Sequence, residues 1–441
     1  MIRVSHNHRF LVHPDGTPFF YLGDTAWELF HRCTLHEAEM YLRDRAAKGF
    51  TVIQAVALAE LDGLTVPNPN GDLPLIDHDP SRPNEAYFRH VDAIVDLAAA
   101  LGLYIGLLPT WGDKWHRLWG VGPEIFTPEN ARTYGRWLGQ RYKDAPIIWI
   151  LGGDRPVESE THRLILRAMA QGLREGDGGN HLMGFHTWGQ HSSSDYLHEE
   201  EWLDLHMCQS GHIRNIGNWR WIERDYALSP TRPCMDAEPG YEDMASQFKL
   251  EEGYLDDYDV RKSLYWALFA GAHGHTYGCN PVWQMWLPGR NPMLATRRSW
   301  YEALHLPGAS QVQHARWLLL SRPYLSRIPD QSVILSEVGE GTHHVRATRD
   351  AHGSYLMVYI PSGRTVDIDL SPLQGERVSA WWYDPRRGTA QHIGVMPKGP
   401  HVAFSPPGGG PDWVLVLDDA DAHFPRPGQP RLTAEDSPER G

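Results

Sequence analysis

At 441 residues the chain is too long for one ordinary domain of roughly 150 residues, so two or three domains are expected unless one is a large barrel. A net charge of −14 with no long Lys/Arg run argues against a nucleic-acid partner, whose phosphates it would repel. No run of roughly 18 apolar residues occurs and the first eight residues lack an apolar h-region, so no membrane partner and no export signal are expected, and a cytoplasmic location is.

The chain then alternates between two patterns. Residues 19–23 (Phe-Phe-Tyr-Leu-Gly) form a short apolar strand closing on Asp24-Thr25-Ala26-Trp27. Thr34 and Glu37 make a capping box for a helix running to about Lys48, with Gly49 as its stop. Residues 50–58 are the next strand, followed by a Pro/Asn/Gly/Asp-rich loop over 60–83 and a helix over 84–101 that stops at Gly102. Strand 103–109 ends on Thr110-Trp111-Gly112-Asp113, and a helix over 127–143 leads into strand 147–151 (Ile-Ile-Trp-Ile-Leu), which ends in Gly152-Gly153-Asp154-Arg155. A helix over 159–175 precedes strand 181–186, which ends in His186-Thr187-Trp188. Strand 203–208 ends in Gln209-Ser210-Gly211-His212, and a helix over 218–227 precedes strand 233–237, which ends in Glu238. A helix over 259–270, strand 273–278 and a helical stretch over 292–306 complete the eighth unit.

Alternating strands and helices force parallel strands with right-handed crossovers, and eight units close most naturally into a (β/α)8 TIM barrel, an α/β fold. A doubly wound sheet would want Gly-x-Gly-x-x-Gly after its first strand, where this chain has Gly23-Asp24-Thr25-Ala26-Trp27. Beyond residue 329 short alternating runs separated by Gly and Pro turns read as a small antiparallel β-sandwich. The expected domains are therefore a barrel over 1–329 with a short N-terminal β segment, a sandwich over 330–420, and a loosely ordered tail over 421–441.

A barrel assembles its site at the C-terminal ends of its strands, so the strand ends form an inventory. It contains Asp24 and Trp27, Glu60, Trp111 and Asp113, Asp154 and Arg155, His186 and Trp188, His206, Gln209 and His212, Glu238 and Tyr241, and His275 and Tyr277. Asp154 could simply cap the helix over 159–175. Against that, the fourth and seventh strands of an eight-stranded barrel lie across the barrel from one another, so Asp154 and Glu238 could face a substrate held between them. One protonated and one ionised carboxyl group is what glycosidic-bond hydrolysis requires. The 18 Trp and 18 Tyr, many beside Gly, Pro, His and Asp, fit stacking on sugar rings. Among 25 histidines there is no His-Glu-x-x-His, and the first strand lacks the His-x-His of barrel metallohydrolases, so no metal or other cofactor is expected. No Gly-x-Ser-x-Gly elbow occurs, and the four cysteines read as free thiols packed as small hydrophobes.

Five motifs resemble the apiosidase-like glycoside hydrolases, family 140. They are Phe-Phe-Tyr-Leu-Gly-Asp-Thr-Ala-Trp (19–27), Trp-Ile-Leu-Gly-Gly-Asp-Arg (149–155), Gln-Ser-Gly-His (209–212), Asp-Ala-Glu-Pro-Gly-Tyr-Glu (236–242) and Gly-Ala-His-Gly-His-Thr-Tyr-Gly (271–278). The resemblance covers roughly residues 5–420. It implies a (β/α)8 barrel followed by a β-sandwich often labelled collagen-binding, and a catalytic pair at Asp154 and Glu238. It also implies hydrolysis of apiosides, which carry the branched pentose of pectic side chains and some plant glycosides. For the second domain, bracing the barrel or shaping one rim of its cleft is the plainer role.

By the pattern of retaining barrel glycosidases, Asp154 is expected as general acid/base and Glu238 as nucleophile, although that pattern usually has Asn-Glu where this chain has Gly-Asp. Trp111, Trp188 and Tyr241 are candidates for stacking on the sugar. Asp24, His186, His206, Gln209, His212 and His275 are candidates for binding hydroxyls, and Trp27 and Arg155 are further substrate contacts; each could instead brace the core or a loop. The expected partner is a carbohydrate. The alternatives are a glycosidase for another plant sugar, or a non-catalytic carbohydrate-binding barrel.

Overall fold

The computed structural model describes residues 1–429. Its short apolar runs become the strands β1 (Tyr21–Thr25), β2 (Val52–Leu58), β3 (Tyr104–Thr110), β4 (Ile147–Gly152), β5 (Met183–His186), β6 (His206–Gln209), β7 (Cys234–Asp236) and β8 (Gly274–Tyr277). Nearly every residue in them is buried, because one face meets the barrel interior and the other the helical layer. All eight run parallel, in the hydrogen-bonded order β5-β4-β3-β2-β1-β8-β7-β6. Asp204 bridges the remaining gap between β5 and β6: its N–H donates to the Met183 carbonyl at 2.9 Å, and its carboxylate accepts from the Met183 N–H at 2.8 Å. The two-residue strand His191–Ser192 adds an antiparallel pairing to β6.

The helices begin where side chains satisfy their first N–H groups. Thr34 Oγ1 accepts from the Glu37 N–H at 3.2 Å and the Glu37 carboxylate accepts from the Thr34 N–H at 2.8 Å, which opens Leu35–Ala47. The helical stretch expected over 292–306 shrinks to Trp300–Ala303, capped by Ser299. Upstream, Leu294 and Ala295 adopt φ of 53° and 55°, a left-handed conformation that no right-handed helix admits. One apolar cluster fills the barrel from end to end. Ile2, Leu11 and Phe19 of the N-terminal β segment plug the bottom, Val56, Leu108 and Ile150 fill the middle, and Trp27, Trp111, Tyr241 and Trp283 form the top.

The C-terminal part is antiparallel, with β9 (Arg327–Pro329), β10 (Arg346–Asp350), β11 (Tyr355–Ile360), β12 (Val366–Ile368), β13 (Arg377–Asp384), β14 (Thr389–Pro397), β15 (Val402–Phe404) and β16 (Trp413–Asp419). Six strands form one sheet in the order β9-β10-β11-β16-β13-β14, and β12 pairs with β15. The edge strand β14 was not legible in the sequence, since it exposes even its apolar Ile393 and Val395. Residues 421–429, expected to be loosely ordered, are instead held in place: the Gly428 N–H donates to Ser321 Oγ at 3.3 Å, and the Arg322 guanidinium lies 4.9 Å from the Phe424 ring. The rest of that tail, 430–441, lies outside the described residues.

This antiparallel unit grips the helix Asp257–Phe269 between β7 and β8. Buried Arg261 donates through Nε and Nη2 to both oxygens of buried Asp412, at 3.0 and 3.1 Å, and the Tyr265 and Tyr359 rings stack at 4.8 Å and 12°. Arg261→Met would leave the Asp412 carboxylate buried without its guanidinium, a loss of roughly 3–5 kcal/mol. Urea denaturation should show a lower midpoint for that variant, and the double variant Arg261→Met/Asp412→Asn should recover most of the difference.

Candidate active site

At the end of β4 the chain has to pass through a narrow gap. Gly152 and Gly153 adopt φ of 100° and 101°, and a Cβ on them would lie 2.2 Å from the His186 carbonyl oxygen and 2.6 Å from the Gly112 nitrogen. Only glycine fits both the left-handed backbone and the space. Asp154 follows at φ 57°, a strained conformation for a residue with a Cβ that stores about 1–3 kcal/mol and turns its carboxyl group over the barrel mouth. It is not a helix cap, because Ser159 Oγ accepts the His162 N–H at 3.2 Å and opens the helix Glu160–Asp177.

Two residues beyond β7, Glu238 is flanked by imidazoles. His186 Nε2, from the end of β5, lies 2.8 Å from Glu238 Oε2, and His212 Nε2, from the loop after β6, lies 3.2 Å from Oε1. Nδ1 of the same His186 accepts the Asp154 N–H at 3.3 Å, so one ring touches both carboxylate-bearing segments. Burial by itself would raise the Glu238 carboxyl, but His186 and His212 outweigh it and hold the group well below the usual carboxylate range. Asp154 moves the other way, to about 6, through burial first and the Glu238 charge second. Two carboxyl groups with their proton affinities driven apart are suited to an acid and an ionised partner in one site.

Both line a cleft of about 590 Å3 at the C-terminal mouth of the barrel, together with Trp27, Trp111, Gln209, His212 and Tyr241. The cleft also takes in residues that strand-end reasoning did not select as contacts. Trp283 stands six residues beyond β8, and Trp119, Phe248, Met293 and Leu294 come from loops whose position no local pattern reveals. A third carboxyl group, Glu60 after β2, lines the cleft as well. Burial and the charges of Glu28 and Asp154 hold it well above its ordinary range, and among the described residues it has no hydrogen-bond or ion-pair partner.

Six residues expected as substrate contacts lie away from the cleft lining. Asp24 is wholly buried, and its Oδ2 accepts from Arg45 Nε at 2.5 Å and Tyr41 OH at 2.6 Å, so it locks the helix Leu35–Ala47 to the barrel wall. His206 opens β6 instead of ending it, and its ring lies 3.2 Å from Ser193 Oγ and 3.1 Å from His198 Nδ1. His275 lies mid-strand, and burial pushes its imidazole down to about 3, which keeps it neutral. His186 is buried beneath Trp27 and Trp111 and acts through the two carboxylate segments. Buried Arg155 donates to the carbonyls of His116, Asp154 and Arg117 and supports the Trp119 ring, while Trp188 stands behind that ring at 6.1 Å.

Among the described residues one group has the spacing for a cation: Glu28, His31 and Asp62. A guanidinium already serves it, with Arg32 Nε 3.3 Å from Glu28 and Nη2 3.4 Å from Asp62, and His31 spends its second nitrogen on the Val66 carbonyl.

Comparison with known proteins adds a family context. Residues 5–326 match the family model described as "Apiosidase-like, catalytic domain", and residues 328–418 match the one described as "Putative collagen-binding domain of a collagenase". A solved structure described as "Glycoside hydrolase" is 36% identical, with 95% of this chain and 97% of that one covered and a TM-score of 0.88. A glycoside hydrolase family 5 structure from Bacteroides vulgatus ATCC 8482 is 33% identical, with 98% and 96% covered and a TM-score of 0.90. No curated protein matches. If the two imidazoles keep Glu238 ionised, His212→Phe should raise that carboxyl by about one pH unit, which 13C NMR titration of labelled carboxyl groups would register as an upward-shifted midpoint.

Proposed function

The chain belongs to the apiosidase-like glycoside hydrolases, and from that premise we propose that it cleaves apiose-containing plant glycosides or pectic oligosaccharides with retention of configuration. Asp154 is the general acid/base and Glu238 the nucleophile. The observation that carries this reading is the opposite displacement of the two carboxyl groups: Glu238 held ionised by His186 and His212, Asp154 inclined to keep its proton.

In the first step a Glu238 oxygen attacks the anomeric carbon as the bond to the leaving oxygen breaks, and Asp154 delivers its proton to that oxygen. This leaves a glycosyl ester on Glu238 and a carboxylate at Asp154. Asp154 then takes a proton from water, whose oxygen displaces Glu238 and releases the sugar with both side chains restored. His186 and His212 hold the carboxylate in position, and Trp27, Trp111 and Tyr241 offer ring faces and edges to the sugar.

Asp154 has to be protonated and Glu238 ionised, so kcat/KM is expected to follow a bell whose alkaline limb falls as pH rises through about 6. A limb that stays at that pH in Asp154→Asn would remove Asp154 from the acid role. Glu238→Ala should lower kcat at least a thousandfold on any glycoside the wild type cleaves. Proton NMR of the first-formed sugar from an aryl apioside tests the remainder: the inverted anomer would make Glu238 a base, and no turnover of any apioside would overturn the sugar assignment.

A further inference from the structure

The mouth of the cleft is apolar where its floor is polar. Of 13 exposed large hydrophobic side chains among the described residues, six (Leu118, Trp119, Val121, Phe248, Leu250 and Leu294) belong to the three segments that contribute Trp119, Phe248 and Leu294 to the cleft lining. Trp119 and Phe248 are the aromatic members of that set, each 58% exposed. Scattered exposed hydrophobes need no explanation, but their concentration around one cleft marks a binding surface.

This collar is built. The Arg155 guanidinium carbon sits 4.3 Å from the Trp119 ring centroid, and Trp188 stacks behind the ring at 26°. The neighbouring Gly120 packs so closely that a Cβ there would lie 2.3 Å from the Asp113 Cβ, and the Gly122 N–H donates to Asp113 Oδ2 at 2.8 Å, so the loop is anchored while its indole stays exposed. On the other segments Phe248 and Leu294 adopt left-handed φ of 61° and 53°, strain of about 1–3 kcal/mol each. The Phe248 ring packs edge-on against His212 at 5.5 Å, which joins the collar to the Glu238 site.

Charge narrows the occupant. Among the lining residues Lys249 is the one permanent cation, and Glu238 is held ionised in a chain of net charge −14, so a uronate-bearing sugar chain would find one cationic side chain and a net repulsion. A neutral sugar chain would ask for several hydrogen-bonding groups, whereas Phe248, Met293 and Leu294 have no hydrogen-bond donor and Trp119 offers a single indole N–H.

We propose that this collar is an aglycone subsite for a planar aromatic group, so that the substrates are phenolic glycosides, with the sugar toward Asp154 and Glu238 and the aromatic leaving group against Trp119 and Phe248. The proposal rests on the glycosidase reading of the same cleft. Calorimetric titration of the full chain with 4-methylumbelliferone, a planar phenol without a sugar, tests it. Saturable binding is expected, weakened about tenfold by Trp119→Ala and by Phe248→Ala and largely restored in Trp119→Phe, with far-UV circular dichroism to verify folding. Wild-type protein that does not bind the phenol, variants that bind it as well as wild type, or tighter binding of trigalacturonate would each overturn the proposal. Because the probe carries no sugar, its result is independent of which glycoside is cleaved: inactivity on apiosides would remove the sugar assignment and leave the aromatic subsite standing.

Discussion

A carboxylate taken out of water stays ionised only where neighbouring groups favour its charge, and that constraint organises the barrel mouth around Glu238. Its two oxygens are met by His186 from β5 and His212 from beyond β6. His186 in turn receives the Asp154 N–H from the strained turn after β4. Four neighbouring segments thus converge on one charge. The glycines before Asp154 fit because that turn has to pass within contact distance of the His186 backbone.

The same constraint explains why strand ends hold more carboxylates than the cleft does. Asp24 is held through Oδ2 by Arg45 and Tyr41, and Asp236 by Ser210 and Asn218. Glu242, which burial raises to about 7, accepts from Tyr277 OH at 2.6 Å and from the Gly308 N–H at 3.2 Å. These groups face the helical layer, where they lock helices and loops to the wall. Asp24 and Asp236 lie within their strands, whereas Glu60, Asp154 and Glu238 each stand two residues beyond the end of β2, β4 and β7, where the chain turns over the mouth.

The antiparallel unit acts on the wall and not on the chemistry. Among the described residues none from 330 to 420 lines the cleft, and the Arg261–Asp412 pair and the Tyr265–Tyr359 stack bear on the helix after β7. That helix follows the strand carrying Glu238, so bracing it steadies the scaffold beneath the carboxylate.

Eight barrel strands, the Thr34 capping box, the parallel barrel and the strand-end positions of Asp154 and Glu238 are all legible in the sequence, because hydrophobic period, capping and turn chemistry are local. What required the tertiary structure is everything set by distant chain. That includes the direction His206 and His275 face, the spending of Arg155 on backbone carbonyls, the placing of Trp283 in the cleft, and the gathering of Trp119 and Phe248 into one collar. The unequal proton affinities of Asp154 and Glu238 belong there too. A side chain's chemistry depends on burial and on charges brought within a few ångströms by segments far apart in sequence, and no local pattern encodes those distances.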